Sequence, residues 1–351
     1  MKRILKYILL VTILANAISC MNYEPSGEND FNYYNDNGVF IVNEGNFMYG
    51  NSSLTYYSPD NKRSESEIFI RSNGIKLGDV AQSMTIRNGL GYIVVNNSGI
   101  IFVIDINTFK VVRTITGFIS PRYIHFVSDT KAYITDLYSS KITIVNPQTS
   151  KITGSIPIGA HKSTEQMVQY DKYIFTNCWA YDNKILVIDT ETDKIIDSIT
   201  VGIQPNSLVI DRNNKLWVLT DGGYKNNPYG HEIPALYRIN TYDFSIEQKF
   251  NFALDDSPSN LCIDENGDNL YFINKSVWKF NITATNLPDV PIIPYNGTIY
   301  YGLGISPRTS EIYVADAIDY VQNGKIYRYT PQAVCIDTIS TGICPTALCF
   351  K

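Results

Sequence analysis

Histidine is scarce in this chain: three among 351 residues. So few imidazoles leave little room for a His-rich metal centre. Charge is also sparse, at 18% Asp, Glu, Lys and Arg against roughly 25% in an average soluble chain. With 13% aromatic residues, that composition excludes intrinsic disorder, which goes with high charge and few aromatics. The net charge of −5 removes the basic footprint expected of a nucleic-acid binder. Six cysteines are present, with no CxxC and no adjacent Cys/His pair, so a zinc ribbon or finger is not expected. No Gly-rich phosphate loop sits between a strand and a helix. What is abundant is tyrosine, 26 residues against 15 Phe and 3 Trp. Tyr suits a half-buried pleated surface, and it also suits a ligand-binding face.

The N-terminus reads as an export signal. Lys2, Arg3 and Lys6 precede an apolar run from Tyr7 to Leu14, followed by Ala17-Ile18-Ser19-Cys20. The run is too short to span a bilayer. The last four residues resemble a bacterial lipobox, which implies cleavage before Cys20 and lipidation of its thiol. Residues 1–19 are therefore expected to be a signal peptide. Residues 20–37, polar with Pro25 and Gly27, are expected to be the lipidated Cys and a flexible tether. Of the remaining cysteines, Cys335 and Cys344 could pair in an oxidising compartment. For most of the five, burial in strands as small apolar residues is the expected reading.

A repeat organises the rest. An aromatic residue, followed by two or three mostly apolar residues and then Asn or Asp, recurs at Phe40, Tyr92, Tyr133, Tyr173, Trp217, Tyr271 and Tyr313. The spacings are 52, 41, 40, 44, 54 and 42 residues. Seven copies at this interval fit four short strands per unit, as in a β-propeller. Third strands such as Ile185-Leu186-Val187-Ile188-Asp189 and fourth strands such as Ile195-Ile196-Asp197-Ser198-Ile199 follow the anchors. First strands open on Pro121, Pro205 and Pro258, where a missing N–H costs no ladder bond. No innermost strand precedes Phe40, and a spare one, Cys344-Pro345-Thr346-Ala347-Leu348-Cys349-Phe350, follows the last unit. The expected fold over 38–351 is therefore all-β, a seven-bladed β-propeller of four-stranded blades, its ring closed by the C-terminal strand.

In such a ring the second-to-third and fourth-to-first loops share one face. The first set supplies Asn43, Glu44, Asn46, Phe47, Tyr49, Asn96, Tyr138, Trp179, Tyr181, Tyr224 and Tyr320 as candidate ligand contacts. The second supplies Asp79, Gln82, Arg122, Glu165, Gln166, Asn206 and Tyr301. Aromatics in loops have no strand propensity to explain them, and each offers a broad contact with a polar tip. The Asn and Asp at the strand ends have a structural reading as turn-formers. Glu44, Asp79 and Glu165 could meet at the channel mouth, to bind Ca²⁺ or orient a polar ligand. No catalytic group stands out: His125 reads as a hydrogen-bonded structural residue, and His161 and His231 have no evident nucleophile beside them.

The strings Val187-Ile188-Asp189-Thr190 and Val201-Gly202, with Gln204-Pro205-Asn206, resemble YVTN/YncE-type propellers over roughly residues 38–350. A more particular signature runs through Val42-Asn43-Glu44-Gly45-Asn46-Phe47, Asn51-Ser52-Ser53-Leu54 and Leu77-Gly78-Asp79-Val80-Ala81-Gln82-Ser83. It continues in Pro121-Arg122-Tyr123-Ile124, Thr135-Asp136-Leu137-Tyr138 and Glu165-Gln166-Met167-Val168. These are similar to the YncE-like surface lipoproteins of Bacteroidetes, which include the BtuG-type cobalamin-binding propellers. The resemblance implies a non-enzymatic protein, lipid-anchored in the outer membrane and facing the outside. It implies capture of cobalamin or another corrinoid as ligand, with no cofactor of its own, and delivery to a TonB-dependent outer-membrane transporter. Two other readings remain open: a propeller that binds a protein or glycan, and a lactonase- or lyase-like enzyme.

Overall fold

The computed structural model describes residues 37–351. The expected signal peptide, Cys20 and all but the last residue of the expected tether lie outside the described residues. Seven antiparallel sheets follow one another as blades. The first combines the C-terminal strand Pro345–Phe350 with Val39–Asn43, Ser53–Ser58 and Arg63–Glu65. The second blade starts at Ala81–Arg87, the third at Pro121–Phe126 and the fourth at Thr164–Tyr170. The fifth starts at Pro205–Ile210, the sixth at Ser259–Ile263 and the seventh at Tyr300–Ile305. Each of these inner strands touches the inner strand of both neighbouring blades, so the ring is closed.

Closure comes from the chain end, as the sequence predicts. Phe350 pairs with Val39, Cys349 with Phe40 and Leu348 with Ile41. Gly302 and Gly304 of the seventh blade make room for it. A Cβ on Gly302 would lie 2.4 Å from the Thr346 carbonyl oxygen, and one on Gly304 would lie 3.0 Å from Leu348.

The repeated aromatics all fall in second strands: Phe40 in Val39–Asn43, Tyr92 in Leu90–Val95, Tyr133 in Ala132–Asp136, Tyr173 in Tyr173–Cys178. Trp217, Tyr271 and Tyr313 occupy Lys215–Thr220, Asn269–Asn274 and Ile312–Asp316. A second strand is covered on both faces by neighbouring blades, so it reads as an unbroken apolar run. Outer strands such as Lys194–Thr200 are largely exposed, and their sequence is correspondingly mixed. The apolar contacts form wedges between consecutive blades. Phe175, Ile185 and Val187 of the fourth blade meet Leu216, Val218 and Tyr237 of the fifth. Trp217, packed on Phe250 and Phe280, joins the fifth blade to the sixth.

Three departures from the repeat matter. The first long spacing contains a short helix, Ile68–Asn73, that no sequence periodicity announces; six residues are under two turns. It buries Ile68 and Phe69, with Phe69 against Phe102. The second long spacing is the extended loop 221–234 of the fifth blade, on the candidate ligand face. The sixth blade has three regular strands. Where a fourth would run, Pro288, Pro291 and Pro294 interrupt the chain, and a single bridge joins Val277 to Ile293. Proline cannot donate to a ladder, which accounts for the bridge in place of a strand.

The five cysteines from Cys178 onward are free thiols. The Cys335–Cys344 pairing is ruled out by the strand Cys335–Ile343, which separates the two by nine extended residues. That is on the order of 25–30 Å, against about 6 Å between the Cα atoms of a disulfide.

Candidate functional site

All seven inner strands break register with their second strand just after their first residue. Pro345 pairs with Asn43 and Ala347 with Val42, leaving Thr346 between them. The same break leaves out Gln82 in the second blade, Arg122 and Tyr123 in the third, and Glu165 and Gln166 in the fourth. It leaves out Asn206 in the fifth, Asn260 and Leu261 in the sixth, and Tyr301 in the seventh. A bulge takes a residue out of the ladder and re-aims its side chain. Repeated round the ring, it sets polar side chains at one end of the central channel.

These side chains meet across blades. Arg122 Nε donates to both Glu165 carboxylate oxygens at 2.8 Å, and its Nη1 donates to Gln82 Oε1. Glu44, from the first blade's loop, interacts electrostatically with Arg122 and accepts a hydrogen bond from Tyr301 at 2.5 Å. Asn206 Nδ2 reaches Pro258 O at 2.7 Å, and Asn260 Nδ2 reaches Tyr301 O at 3.2 Å. Gln166 accepts the Leu208 N–H. Burial holds the Glu44 carboxyl above its ordinary range, against the lowering effects of the Tyr301 hydrogen bond and Arg122. Arg122 sits between the two acids and is ion-paired to Glu165, so this mouth is a hydrogen-bonded ring poorly suited to Ca²⁺, which takes six to eight oxygen ligands. Asp79 stays apart from it: its carboxylate accepts the Met48 N–H and the Asn97 amide, tying two loops together.

The strand-end amides divide. Asn43 and Asn96 are buried; Asn43 donates to Ser53 Oγ and Thr55 Oγ1, and Asn96 to Pro121 O of the next blade. Asp136 behaves as the turn-former reading expects, accepting the Tyr138 and Ser139 N–H groups. Asn46 Nδ2 donates to Tyr320 O, which joins the first blade's loop to the seventh's.

Outside the ring lies an aromatic rim. Phe47 is 65% exposed, Tyr49 75% and Tyr138 72%. Tyr181 stacks on Tyr229 with ring centroids 4.5 Å apart and hydrogen-bonds to Tyr224. Tyr301 and Tyr320 meet edge to face at 5.6 Å. Tyr181 and Tyr320 hold φ of 61° and 64°, left-handed values that are uncommon outside glycine and that place their rings. Trp179 is half-buried and hydrogen-bonds to Asp221, whose carboxyl burial raises to about 6. Tyr138, Tyr181 and Tyr229 line a cavity of about 630 Å³ between the third- and fourth-blade loops, with Lys162, His161 and Asp182. That volume lies within the range of small-molecule sites.

The fold thus brings Glu44, Gln82, Arg122, Glu165, Asn206 and Tyr301 to one mouth, and Tyr138 and Tyr181 to one cavity beside it. Asn260 and Tyr123, which the sequence places on the same loop face, belong to the ring as well, and so does Thr346, whose signal was its place next to Pro345, the residue that opens the closing strand. His161, Cys178 and Asp182 also converge, and their sequence positions carried no sign of it.

Over residues 37–335 the chain matches the family described as Domain of unknown function (DUF5074). The chain belongs to that family. The match takes in all seven second strands of this DUF5074 propeller and stops short of its closing strand. Solved structures share the architecture. A quinoprotein alcohol dehydrogenase-like protein from Bacteroides thetaiotaomicron superposes with a TM-score of 0.68 at 13% identity, over 90% of this chain and 78% of its own. A functionally unknown protein from Desulfotomaculum acetoxidans gives 0.65 at 12% identity, over 90% and 99%. Hydrazine synthase of Kuenenia stuttgartiensis gives 0.60 at 14% identity, over 77% and 89%. At such identities the likeness is one of fold. No curated protein matches the chain.

Proposed function

We propose that this propeller is a capture module, anchored to the outer membrane through Cys20. In this reading it binds cobalamin or a related corrinoid on its loop face and passes it to a TonB-dependent transporter. The observation that carries the proposal is the pairing of a hydrogen-bonded ring of amides, hydroxyls and the Arg122–Glu165 ion pair with an exposed tyrosine rim on the same face. A broad, amide-rich, partly apolar ligand finds hydrogen-bond partners in the ring and flat contacts in the rim. Calorimetric titration with cyanocobalamin is the test. One-to-one binding is expected, with a change in the visible spectrum of the corrinoid. Tyr181→Ala should weaken it by about tenfold or more, the equivalent of roughly 1.4 kcal/mol. No heat and no spectral change at micromolar protein would remove the corrinoid reading.

A second reading, a protein-binding propeller, draws on Phe47, Met48 and Tyr49, three consecutive exposed apolar side chains at the tip of the first blade's loop. Aromatic residues and Met are enriched in the cores of protein interfaces. Pull-down from an outer-membrane extract separates the two: a partner retained without corrinoid and lost in Phe47→Ser favours the interaction module. An enzymatic role would instead show as turnover sensitive to EDTA.

A further inference from the structure

Three chemically different donors meet beside the tyrosine cavity. Cys178 ends the second strand of the fourth blade, and Asp182 lies in the loop that follows. His161 comes from the connection between the third and fourth blades. One ligand atom from each, a sulfur, an imidazole nitrogen and a carboxylate oxygen, lies within 4.8 Å of the other two. His161 Nδ1 and Asp182 Oδ2 are 2.9 Å apart. Asp182 Oδ1 accepts the Asn183 N–H at 2.7 Å, which leaves Oδ2 turned toward the histidine.

We propose that His161, Cys178 and Asp182 form a binding site for a thiophilic divalent cation of the zinc class. One sulfur, one imidazole and one carboxylate form a donor set that suits Zn²⁺ and is foreign to Ca²⁺ or Mg²⁺. A thiolate and a carboxylate carry two negative charges, which the cation balances. Binding forms a metal–sulfur bond and releases the thiol proton to solvent; neutral His161 coordinates through nitrogen. Tetrahedral donors sit about 3.3–3.8 Å apart, so the His161–Asp182 pair at 2.9 Å must open slightly, while the sulfur, within 4.8 Å of both, closes by up to about an ångström. His161 and Asp182 lie in loops and are part-exposed, so their side chains can supply that movement. Cys178 is fully buried behind them, while His161 and Asp182 line the 630 Å³ cavity. The fourth coordination position therefore opens into the cavity, beside Tyr181. Three protein ligands and an open position is the arrangement of zinc sites that take a water or a further ligand.

The site does not depend on what the aromatic rim binds, and its test contains no corrinoid. The full-length protein, stripped with a chelator, is titrated with free Co²⁺ as a spectroscopic substitute for zinc. One equivalent should bind, with a thiolate-to-cobalt charge-transfer band in the near ultraviolet that Zn²⁺ abolishes by displacement. Cys178→Ser should lose the band. His161→Ala, a change in an exposed loop that leaves the core intact, should weaken binding at least about tenfold. Zn²⁺ should raise the Tm of the wild type and not that of His161→Ala. Absence of the band in the wild type, its persistence in Cys178→Ser, or an equal Zn²⁺-induced Tm rise in His161→Ala would each overturn the proposal.

Discussion

Asp221 carries a carboxyl raised to about 6 by burial, against hydrogen bonds from the Gly223 N–H, Trp179 and Asn206. The sign of its effect on stability follows. A carboxyl whose folded value exceeds its unfolded one costs nothing while both states are protonated. The cost grows as pH rises from about 3.9 toward 6, then stays constant. The indole of Trp179 is bonded to this group, so tryptophan fluorescence should titrate with a midpoint near 6. Asp221→Asn should abolish that transition. Arg122 offers a second expectation at this scale. It and Glu165 are 15% and 5% exposed in their side chains, so the pair is buried. Arg122→Ala strands a buried carboxylate and should cost about 3–5 kcal/mol by urea denaturation. Adding Glu165→Gln should recover part of that loss.

At the scale of the element, two kinds of strand carry the molecule. Second strands were legible because both faces are buried, which leaves an apolar run that starts with an aromatic and ends in Asn or Asp. The helix Ile68–Asn73 was not legible, since six residues establish no period. The sixth blade's missing ladder was visible only as Pro288, Pro291 and Pro294, whose effect on pairing depends on which edge they meet. The closing strand leads to a prediction. Removing residues 345–351 bares one edge of Val39–Asn43, and the truncated chain should lose its cooperative thermal transition. Gly302→Ala is a milder probe, because its methyl collides with the Thr346 carbonyl. It should lower stability by about 1–3 kcal/mol on overpacking grounds.

For the whole molecule, stability is spread over wedges between blades instead of one central core. Trp217 is fully buried in such a wedge and donates its indole N–H to Asp211. Trp217→Ala should therefore cost about 3–5 kcal/mol, seen as a lower urea midpoint. The rigid ring holds the loops of its seven blades in fixed register, and that register is what places the polar mouth beside the tyrosine rim. A ligand bound there should raise the Tm of the entire ring in proportion to the logarithm of its concentration.

By itself the sequence determined the blade count, the position of each second strand and the closure by Pro345–Phe350. Burial on both faces demands a recurring composition, and a recurrence can be read along one dimension. It also marked which loops were rich in tyrosine. Only the tertiary structure decided which polar residues meet. The bulge after the first residue of every inner strand turns Gln82, Arg122, Glu165 and Tyr301 out of the ladder, and a register break of this kind has no periodicity of its own. The convergence of His161, Cys178 and Asp182 was equally hidden. It arises because the connection between two blades folds back over the end of a strand, which no spacing in the chain records.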